Sequence, residues 1–192
     1  MVNKRIRQGV IESLPEAKEI GNLELREKVY DAWAMSLAES KYARIEDIPP
    51  SGGPDTPPLK VGTQTDHLRS VARMAVAIAK DLQSTFKGFD VDVDEVIAGG
   101  LLHDLGKPFE FDSGNQVRWK SNPGASGWPS FRHSVYGAHI ALSVGLPERI
   151  AHIVGAHSKE GQFIERSVVA TIVHYADHCF WLALEKGNLL KT

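Results

Sequence analysis

Apolar residues recur along this chain at the three- and four-residue spacing of amphipathic helices, and strand-like alternation is scarce. In NLELREKVYDAWAMSLAES, residues 22–40, every fourth position from Leu25 to Leu37 is apolar, and Asn22 can cap the helix. The same spacing predicts further helical segments in the second half of the chain. We therefore predict an all-α fold.

Five of these predicted helical segments lie beyond residue 60. They are residues 65–83, 92–106, 130–145, 146–158 and 165–187. We expect Thr65 or Asp66 to cap the first segment. Gly106 and Gly145 stand where a left-handed C-terminal cap is expected, and Pro147 stands where the first turn of a helix tolerates proline.

Two stretches are too rich in Pro, Gly and Ser to continue a helix. Residues 45–64, IEDIPPSGGPDTPPLKVGTQ, are predicted to be a linker, which divides the chain into an N-terminal helical arm with its linker, residues 1–58, and a main domain, residues 59–192. Residues 107–129, KPFEFDSGNQVRWKSNPGASGWP, are predicted to be a long loop. Loops of that length are usually functional or mobile, so its aromatic residues either line a lid over a pocket or anchor the loop to the core.

Composition narrows the class of protein. The 22 basic and 24 acidic residues give a formal charge of −2, so no broad basic field favours nucleic acid, although single basic groups can still bind a phosphate. The single Cys179 excludes an internal disulfide and is compatible with a reducing compartment. No apolar run is long enough for a signal peptide or a membrane span, so we expect a cytoplasmic protein without membrane association. The sequence does not indicate the oligomeric state.

The candidate chemistry begins with His103 and Asp104, which end the apolar helical run AGGLLHD. A carboxylate in that position is costly to bury unless a positive charge accompanies it, and a metal ion would supply that charge. Each other predicted helix of the main domain also offers an imidazole or a carboxylate: His67, His133, His157 and Asp177. Imidazole and carboxylate ligands suit iron, manganese, zinc, nickel or magnesium, and the absence of thiolates argues against a closed structural zinc site.

The order of these groups resembles that in the HD-domain superfamily of metal-dependent phosphohydrolases. The sequence motifs around them resemble it as well: DHLRSVARMA, GLLHDLGK, HSVYGAHIA, VGAHS and HYAD. The resemblance covers roughly residues 60–185, and HDLGK is its most specific part. It implies an HD-type helical bundle in which one ion has four ligands: His67, His103, Asp104 and Asp177. It also implies a second ion on His133 and His157, with Asp104 bridging the two. Many two-metal members carry a His-His pair where this chain has His157-Ser158, but one imidazole is enough for coordination.

The resemblance implies that one or two divalent ions (Fe, Mn, Mg, Ni or Zn) activate water, which cleaves a phosphomonoester or phosphodiester of a small phosphorylated substrate, with nucleotides as candidates. Asp104 and Lys107 are the candidate catalytic residues, and Lys107 and Arg132 the candidate substrate-binding residues. Lys107 could instead satisfy carbonyls at the end of its helix. His152 competes with His157 as a ligand, but it falls within a helix body.

Two other functions are compatible with the same ligands. A branch of the superfamily holds two irons in a six-ligand set and cleaves C–C or C–P bonds with O₂, because the ligands define the metal cage and not the reaction. The Tyr and Glu that those oxygenases place upstream are not evident before His67, where Gln64 is the only nearby polar candidate. A non-catalytic metal-binding signalling module is the other alternative, although such members usually lose ligands. The remaining histidines, His139, His174 and His178, are predicted to pack, and His174 or His178, which flank Asp177 on its helix, is the candidate to orient that carboxylate.

Overall fold

A computed structural model describes residues 3–191, and within them the chain forms α-helices and short 3₁₀ helices without a β-strand. The α-helices are α1 Lys4–Ser13, α2 Leu23–Ala38, α3 Gln64–Thr85, α4 Val93–Leu102, α5 Lys107–Glu110, α6 Ser113–Ser121, α7 Pro123–Ser126, α8 His133–Ser143, α9 Glu148–Ala156 and α10 Val168–Lys186. The 3₁₀ helices are Pro15–Glu19, Ile45–Asp47 and Lys159–Phe163. The predicted all-α fold is confirmed. None of the helices within residues 3–191 is long and apolar enough to cross a membrane.

Helix α4 lies at the centre of the bundle, where it contacts α2, α3, α9 and α10. Seven of its ten residues are buried, which explains why the segment is apolar on every side. At Gly100 a Cβ atom would lie 2.5 Å from the Cα atom of Ala72, so only glycine allows α3 to approach so closely. The packing therefore carries the C-terminal end of α4, with His103 and Asp104, into the interior of the protein.

Helix α2 packs against that end of α4 and forms two buried hydrogen bonds with it and with the turn that follows. Trp33 is fully buried and donates from Nε1 to the carbonyl oxygen of Leu101 at 2.8 Å. Ser36, also fully buried, donates from Oγ to the carbonyl oxygen of Leu105 at 2.5 Å. These bonds hold the backbone on both sides of the His103-Asp104 pair.

The stretch predicted as a linker follows the surface of the bundle and buries apolar side chains. Ile45 and Ile48 belong to the same hydrophobic core as the helices of the main domain. Leu59 forms an isolated antiparallel bridge with Leu190, near the other end of the chain. The division at residue 58 stays a prediction, but the arm and the main domain share one core.

Two predicted helix starts are wrong by one to three residues. Thr63 caps α3, because its side chain accepts from the backbone N–H of Asp66 while the Asp66 carboxylate accepts from the backbone of Thr63. The two predicted caps, Thr65 and Asp66, both lie inside the helix. Pro147 is the residue before α9 and not part of its first turn.

The two glycines predicted to form left-handed caps differ. Gly145 has φ = 76°, as predicted. Gly106 has φ = −87°, so the prediction is wrong there. Its physical role is different: a Cβ atom on Gly106 would lie 2.1 Å from the carbonyl oxygen of His133, so glycine is needed for the close approach of two backbones.

Residues 107–129 are not the structureless loop that we predicted, because they contain α5, α6 and α7. Asp112 caps α6 by accepting from the backbone N–H groups of Gly114 and Asn115. The ring of Phe109 stacks on Tyr136 of α8 with centroids 3.7 Å apart, and Trp119 is buried. Of the two roles proposed for the aromatic residues, anchoring to the core describes Phe109 and Trp119.

Candidate metal centre

The six predicted ligands come from five places in the bundle and come together around the carboxylate of Asp104. His67 lies in the first turn of α3, His103 and Asp104 directly follow α4, His133 begins α8, His157 follows α9, and Asp177 lies in α10. All four imidazoles and the Asp104 side chain are buried, and the Asp177 side chain is 13% exposed. The sequence order therefore becomes one cluster in three dimensions.

The carboxylate of Asp104 lies between two groups of nitrogen atoms. Its Oδ2 atom is 3.1 Å from His67 Nε2 and 3.3 Å from His103 Nε2. Its Oδ1 atom is 3.5 Å from His133 Nε2 and 3.8 Å from His157 Nε2. Ligand atoms at about 2.0–2.2 Å from one ion lie roughly 3–3.5 Å from one another. Oδ2 thus has the spacing to share an ion with His67 and His103, and Oδ1 has the spacing to share one with His133, while its distance to His157 is about 0.3 Å longer than that range.

Asp177 completes the first group. Its Oδ1 atom is 3.4 Å from His67 Nε2 and 3.7 Å from His103 Nε2. The same Oδ1 atom is buried and has no hydrogen-bond partner among residues 3–191. A buried carboxylate oxygen without a partner is costly, and a cation would remove that cost.

Backbone carbonyls orient two of the imidazoles toward the centre. The Nδ1 atom of His103 lies 2.8 Å from the carbonyl oxygen of Gly100, and that of His157 lies 2.7 Å from the carbonyl oxygen of Val154. A carbonyl only accepts, so Nδ1 carries the proton in both rings, and the Nε2 lone pair faces the cluster when the ring is neutral. Ligating histidines in metal sites are held in this way.

His133 and His157 form a second pair of candidate ligands, and their Nε2 lone pairs also face the cluster. His133 Nε2 and His157 Nε2 are 3.3 Å apart, and both rings bond through Nδ1 to an acceptor. In the neutral rings two lone pairs therefore face each other, an arrangement that a shared cation stabilises. The donor set, the spacing and the unpartnered oxygen of Asp177 all fit one or two divalent ions; they do not identify the metal.

The electrostatics favour the metal-binding protonation states of His67, His157 and Asp104, but not that of His103. Burial acts to lower the pKa of His103, but Asp104 and Asp177 outweigh it and raise that pKa. Burial lowers the pKa of His157 well below its usual value, with His103 adding to the effect, and burial also lowers the pKa of His67. Burial acts to raise the pKa of Asp104, but Lys107 and His103 outweigh it and hold that pKa well below its usual value. Neutral imidazoles and an ionised carboxylate are the forms that bind metals.

Lys107 is buried beside Asp104. Its Nζ atom is 2.8 Å from Asp104 Oδ2 and donates to the carbonyl oxygen of Ser51 at 2.6 Å. Gln64 donates from Nε2 to the same Asp104 oxygen at 2.7 Å. The ammonium group compensates the buried carboxylate, and the contact with Ser51 brings the predicted linker to the edge of the centre. The substrate contact expected of Lys107 stays a prediction.

Arg132 is held by two carboxylates. Its Nη1 atom donates to Glu110 Oε1 at 2.6 Å and its Nε atom to Glu160 Oε1 at 3.2 Å. Glu110 also contacts His133, at 2.5 Å from Nδ1. Glu110 could not be predicted from the sequence, because no motif in KPFEF links this acidic residue to a histidine more than twenty residues away.

The other histidines lie outside the cluster. His152 accepts at Nε2 from the backbone N–H of Ser167 at 3.1 Å, which fits the preference for His157 as the ligand. His174 lies with Nδ1 2.5 Å from the carbonyl oxygen of His157, so it contacts that residue's backbone and not the carboxylate of Asp177.

The family model described as HD domain matches residues 65–182, which is more than half of the chain. The protein therefore belongs to the HD-domain family. Among curated relatives, it is 31% identical over 123 residues to the dihydroneopterin 2′,3′-cyclic phosphate phosphodiesterase of Methanocaldococcus jannaschii, covering 60% of this chain and 45% of that protein. It is 28% identical over 129 residues to the tRNA (cytidine(56)-2′-O)-methyltransferase of Thermoplasma volcanium, covering 60% of this chain and 31% of that protein.

An uncharacterized protein of Methanocaldococcus jannaschii is 29% identical over 103 residues, covering 54% of this chain and 49% of the relative. The chain thus spans less than half of the length of each of these three relatives. No solved structure matches the chain significantly.

Proposed function

We propose that the protein is a metal-dependent phosphohydrolase that cleaves a phosphoester of a small substrate, and that Asp104 and the histidines around it would hold a pair of divalent ions for this reaction. The observation that carries this proposal is the position of the Asp104 carboxylate, each of whose oxygens faces its own pair of histidine Nε2 atoms. Membership of the HD-domain family and the similarity to a cyclic phosphate phosphodiesterase support hydrolysis as the reaction.

The ligands of the first ion would be His67, His103, Asp104 and Asp177, and those of the second Asp104, His133 and His157. Divalent ions held there would lower the pKa of bound water and act as Lewis acids toward the phosphoryl oxygens. The protein contributes a buried cage in which hydrogen bonds at Nδ1 aim His103 and His157 at the centre.

Two cationic residues are the proposed contacts for the substrate phosphate. The ammonium group of Lys107 already lies 2.8 Å from Asp104, so a phosphate oxygen at the centre would come within its reach. The Arg132 side chain is 30% exposed, so it is accessible although two carboxylates hold it. We favour a small phosphodiester or phosphomonoester over a nucleic acid, because the net charge of −2 provides no broad basic surface.

Metal analysis tests the cage directly. Protein purified without chelator should contain bound metal, and Asp104→Ala should lose most of it while far-UV circular dichroism shows that the fold persists. His133→Ala and His157→Ala should each lose one equivalent, and His152→Ala should lose none. Unchanged metal content in Asp104→Ala refutes the assignment of the ligands, and equal loss of both ions in the His133 and His157 variants refutes two separable sites.

Activity assays separate the three candidate functions. A panel of phosphomonoesters, 2′,3′-cyclic nucleotides and other phosphodiesters, tested with Mn²⁺, Fe²⁺, Mg²⁺, Ni²⁺ and Zn²⁺, should reveal hydrolysis that Asp104→Ala abolishes. Iron-dependent O₂ uptake with a phosphonate or a polyol would instead favour the oxygenase. Tight stoichiometric metal without turnover of any panel member would favour the signalling module.

A further inference from the structure

A fully buried carboxylate, Glu110 at the end of α5, contacts one of the proposed ligands of the second ion. Its Oε2 atom lies 2.5 Å from Nδ1 of His133 and accepts from the backbone N–H of His133 at 3.2 Å. Its Oε1 atom accepts from Nη1 of Arg132 at 2.6 Å. Both oxygens are therefore occupied, and the same carboxylate holds the backbone and the ring of His133.

This arrangement distinguishes His133 from two other proposed ligands. His103 and His157 donate from Nδ1 to neutral backbone carbonyls of their own helices. His133 is the first residue of α8, so it has no preceding turn of its own helix that could offer such a carbonyl. A carboxylate from α5 takes that place, and a charged acceptor fixes the ring more strongly and makes its Nε2 atom a better ligand.

A buried carboxylate needs a compensating charge, and Arg132 supplies it. The guanidinium also donates to Glu160, which lies in the 3₁₀ helix Lys159–Phe163 that follows His157. Burial acts to raise the pKa of Glu160, but hydrogen bonds, first among them that from Ser158, and the charge of Arg132 lower it to about 2, so the second partner is ionised as well. Arg132 thus joins the segment that carries His133 to the segment that follows His157.

We propose that Glu110 is a positioning residue for His133 and that, through this contact, it determines how tightly the second ion is held. Arg132 keeps Glu110 in place, in addition to its proposed contact with the substrate. The inference rests on the proposed function, because it assumes an ion between His133, His157 and Asp104.

The test compares two carboxylates that are buried and paired with arginine. Glu110→Gln removes the charge beside His133. The matched control is Glu16→Gln, because Glu16 is also buried and paired with arginines, here Arg69 and Arg73, but does not contact the six proposed ligands. Both variants and the wild type are freed of metal, checked for folding by circular dichroism and titrated with Mn²⁺ by calorimetry.

The wild type and Glu16→Gln should bind two ions. Glu110→Gln should bind the first ion as the wild type does and the second roughly 10–100-fold more weakly. If the wild type binds two ions and Glu110→Gln binds both with unchanged affinity, the inference is wrong while the proposed function stands. If the wild type itself binds fewer than two ions, the proposed second site is wrong, and the inference falls with it.

A spectroscopic readout separates positioning from a merely structural role. In metal-free wild type, ¹⁵N chemical shifts should show a proton on Nδ1 of His133, where Glu110 accepts. Glu110→Gln should change the His133 shifts and leave those of His157 unaltered; unchanged His133 shifts overturn the inference. If Glu110→Gln does not fold, Glu110→Asp is measured in the same two experiments. This variant keeps a negative charge for Arg132, but its shorter side chain withdraws the carboxylate from His133. Wild-type affinity for the second ion in Glu110→Asp also overturns it.

Discussion

Gly106 lies where the turn after Asp104 meets the backbone of α8, and replacing it tests the packing that brings the two halves of the candidate centre together. In Gly106→Ala the new Cβ atom would lie 2.1 Å from the carbonyl oxygen of His133 and 2.7 Å from the backbone nitrogen of Gly137. Ordinary van der Waals contacts of a Cβ atom begin near 3.4 Å. The two backbones must therefore separate by about 1 Å, since no flexible side chain can move away instead.

The expected cost follows from that separation. One extra methylene in a packed interior costs about 1–3 kcal/mol, and a clash between two backbones belongs at the upper end, so we expect a loss of roughly 3 kcal/mol in the free energy of unfolding. His133 begins α8 and would move with it. We therefore expect weaker binding of an ion at His133 and His157 and less effect at His67 and His103.

Urea unfolding measures the loss. With a slope of about 2 kcal/mol per molar urea, Gly106→Ala should unfold at about 1.5 M lower urea than the wild type. The control is Gly9→Ala in α1, where nothing lies within 4 Å of the new Cβ atom; it should raise stability by about 0.5–1 kcal/mol, because alanine favours helix. If the stability of Gly106→Ala lies within about 0.5 kcal/mol of the wild type, the backbone contact is not as tight as described.

Three further outcomes are expected. Trp33→Ala should lower the free energy of unfolding by about 3–5 kcal/mol, because it empties a fully buried site and leaves the Leu101 carbonyl without its donor; a loss below about 1 kcal/mol in urea unfolding would count against this packing. Asp112→Ala should cost about 1 kcal/mol at neutral pH by removing the cap of α6. Partial burial acts to raise the pKa of Asp112, but backbone N–H groups, first that of Lys41, lower it, so the carboxylate stabilises the fold above a pH of about 4. This stabilisation is lost as the pH falls through the lower folded-state pKa, and a difference from wild type that stays constant from pH 7 to pH 2 would contradict it. Mn²⁺ added to metal-free protein at about 100 times its dissociation constant should stabilise the wild type by about 2.7 kcal/mol and Asp104→Ala by much less; equal shifts of the two melting temperatures would argue against Asp104 as a ligand.

The helices that could be predicted are those whose apolar residues repeat regularly. In α2 the positions Leu25, Val29, Trp33 and Leu37 are all buried, as their spacing indicates. The composition of residues 107–129 predicts a loop because proline breaks a helix interior, but the stretch contains three short helices. Pro108 and Pro123 lie in the first turns of α5 and α7, where the missing N–H has no helical partner to lose. The short α1 was not predicted.

The candidate ligands could be selected from the sequence because each lies in a recognisable sequence motif, as in GLLHDLGK. The structure brings them together, and their role as ligands of two ions stays a proposal. Glu110 and Ser51 could not be found in this way. Each reaches the centre through tertiary packing of a segment that looks like a loop or a linker, so no local pattern relates it to a ligand.

The hydrogen bonds from Trp33 and Ser36 to the carbonyls of Leu101 and Leu105 bear on where a fragment of this family can be cut. The match to the family begins at residue 65, so both donors lie upstream of it. A fragment cut at that limit would keep all six candidate ligands and lose the two groups that fix the backbone around His103 and Asp104. The residues that match the family model are therefore fewer than the residues needed to hold the candidate metal centre in its geometry.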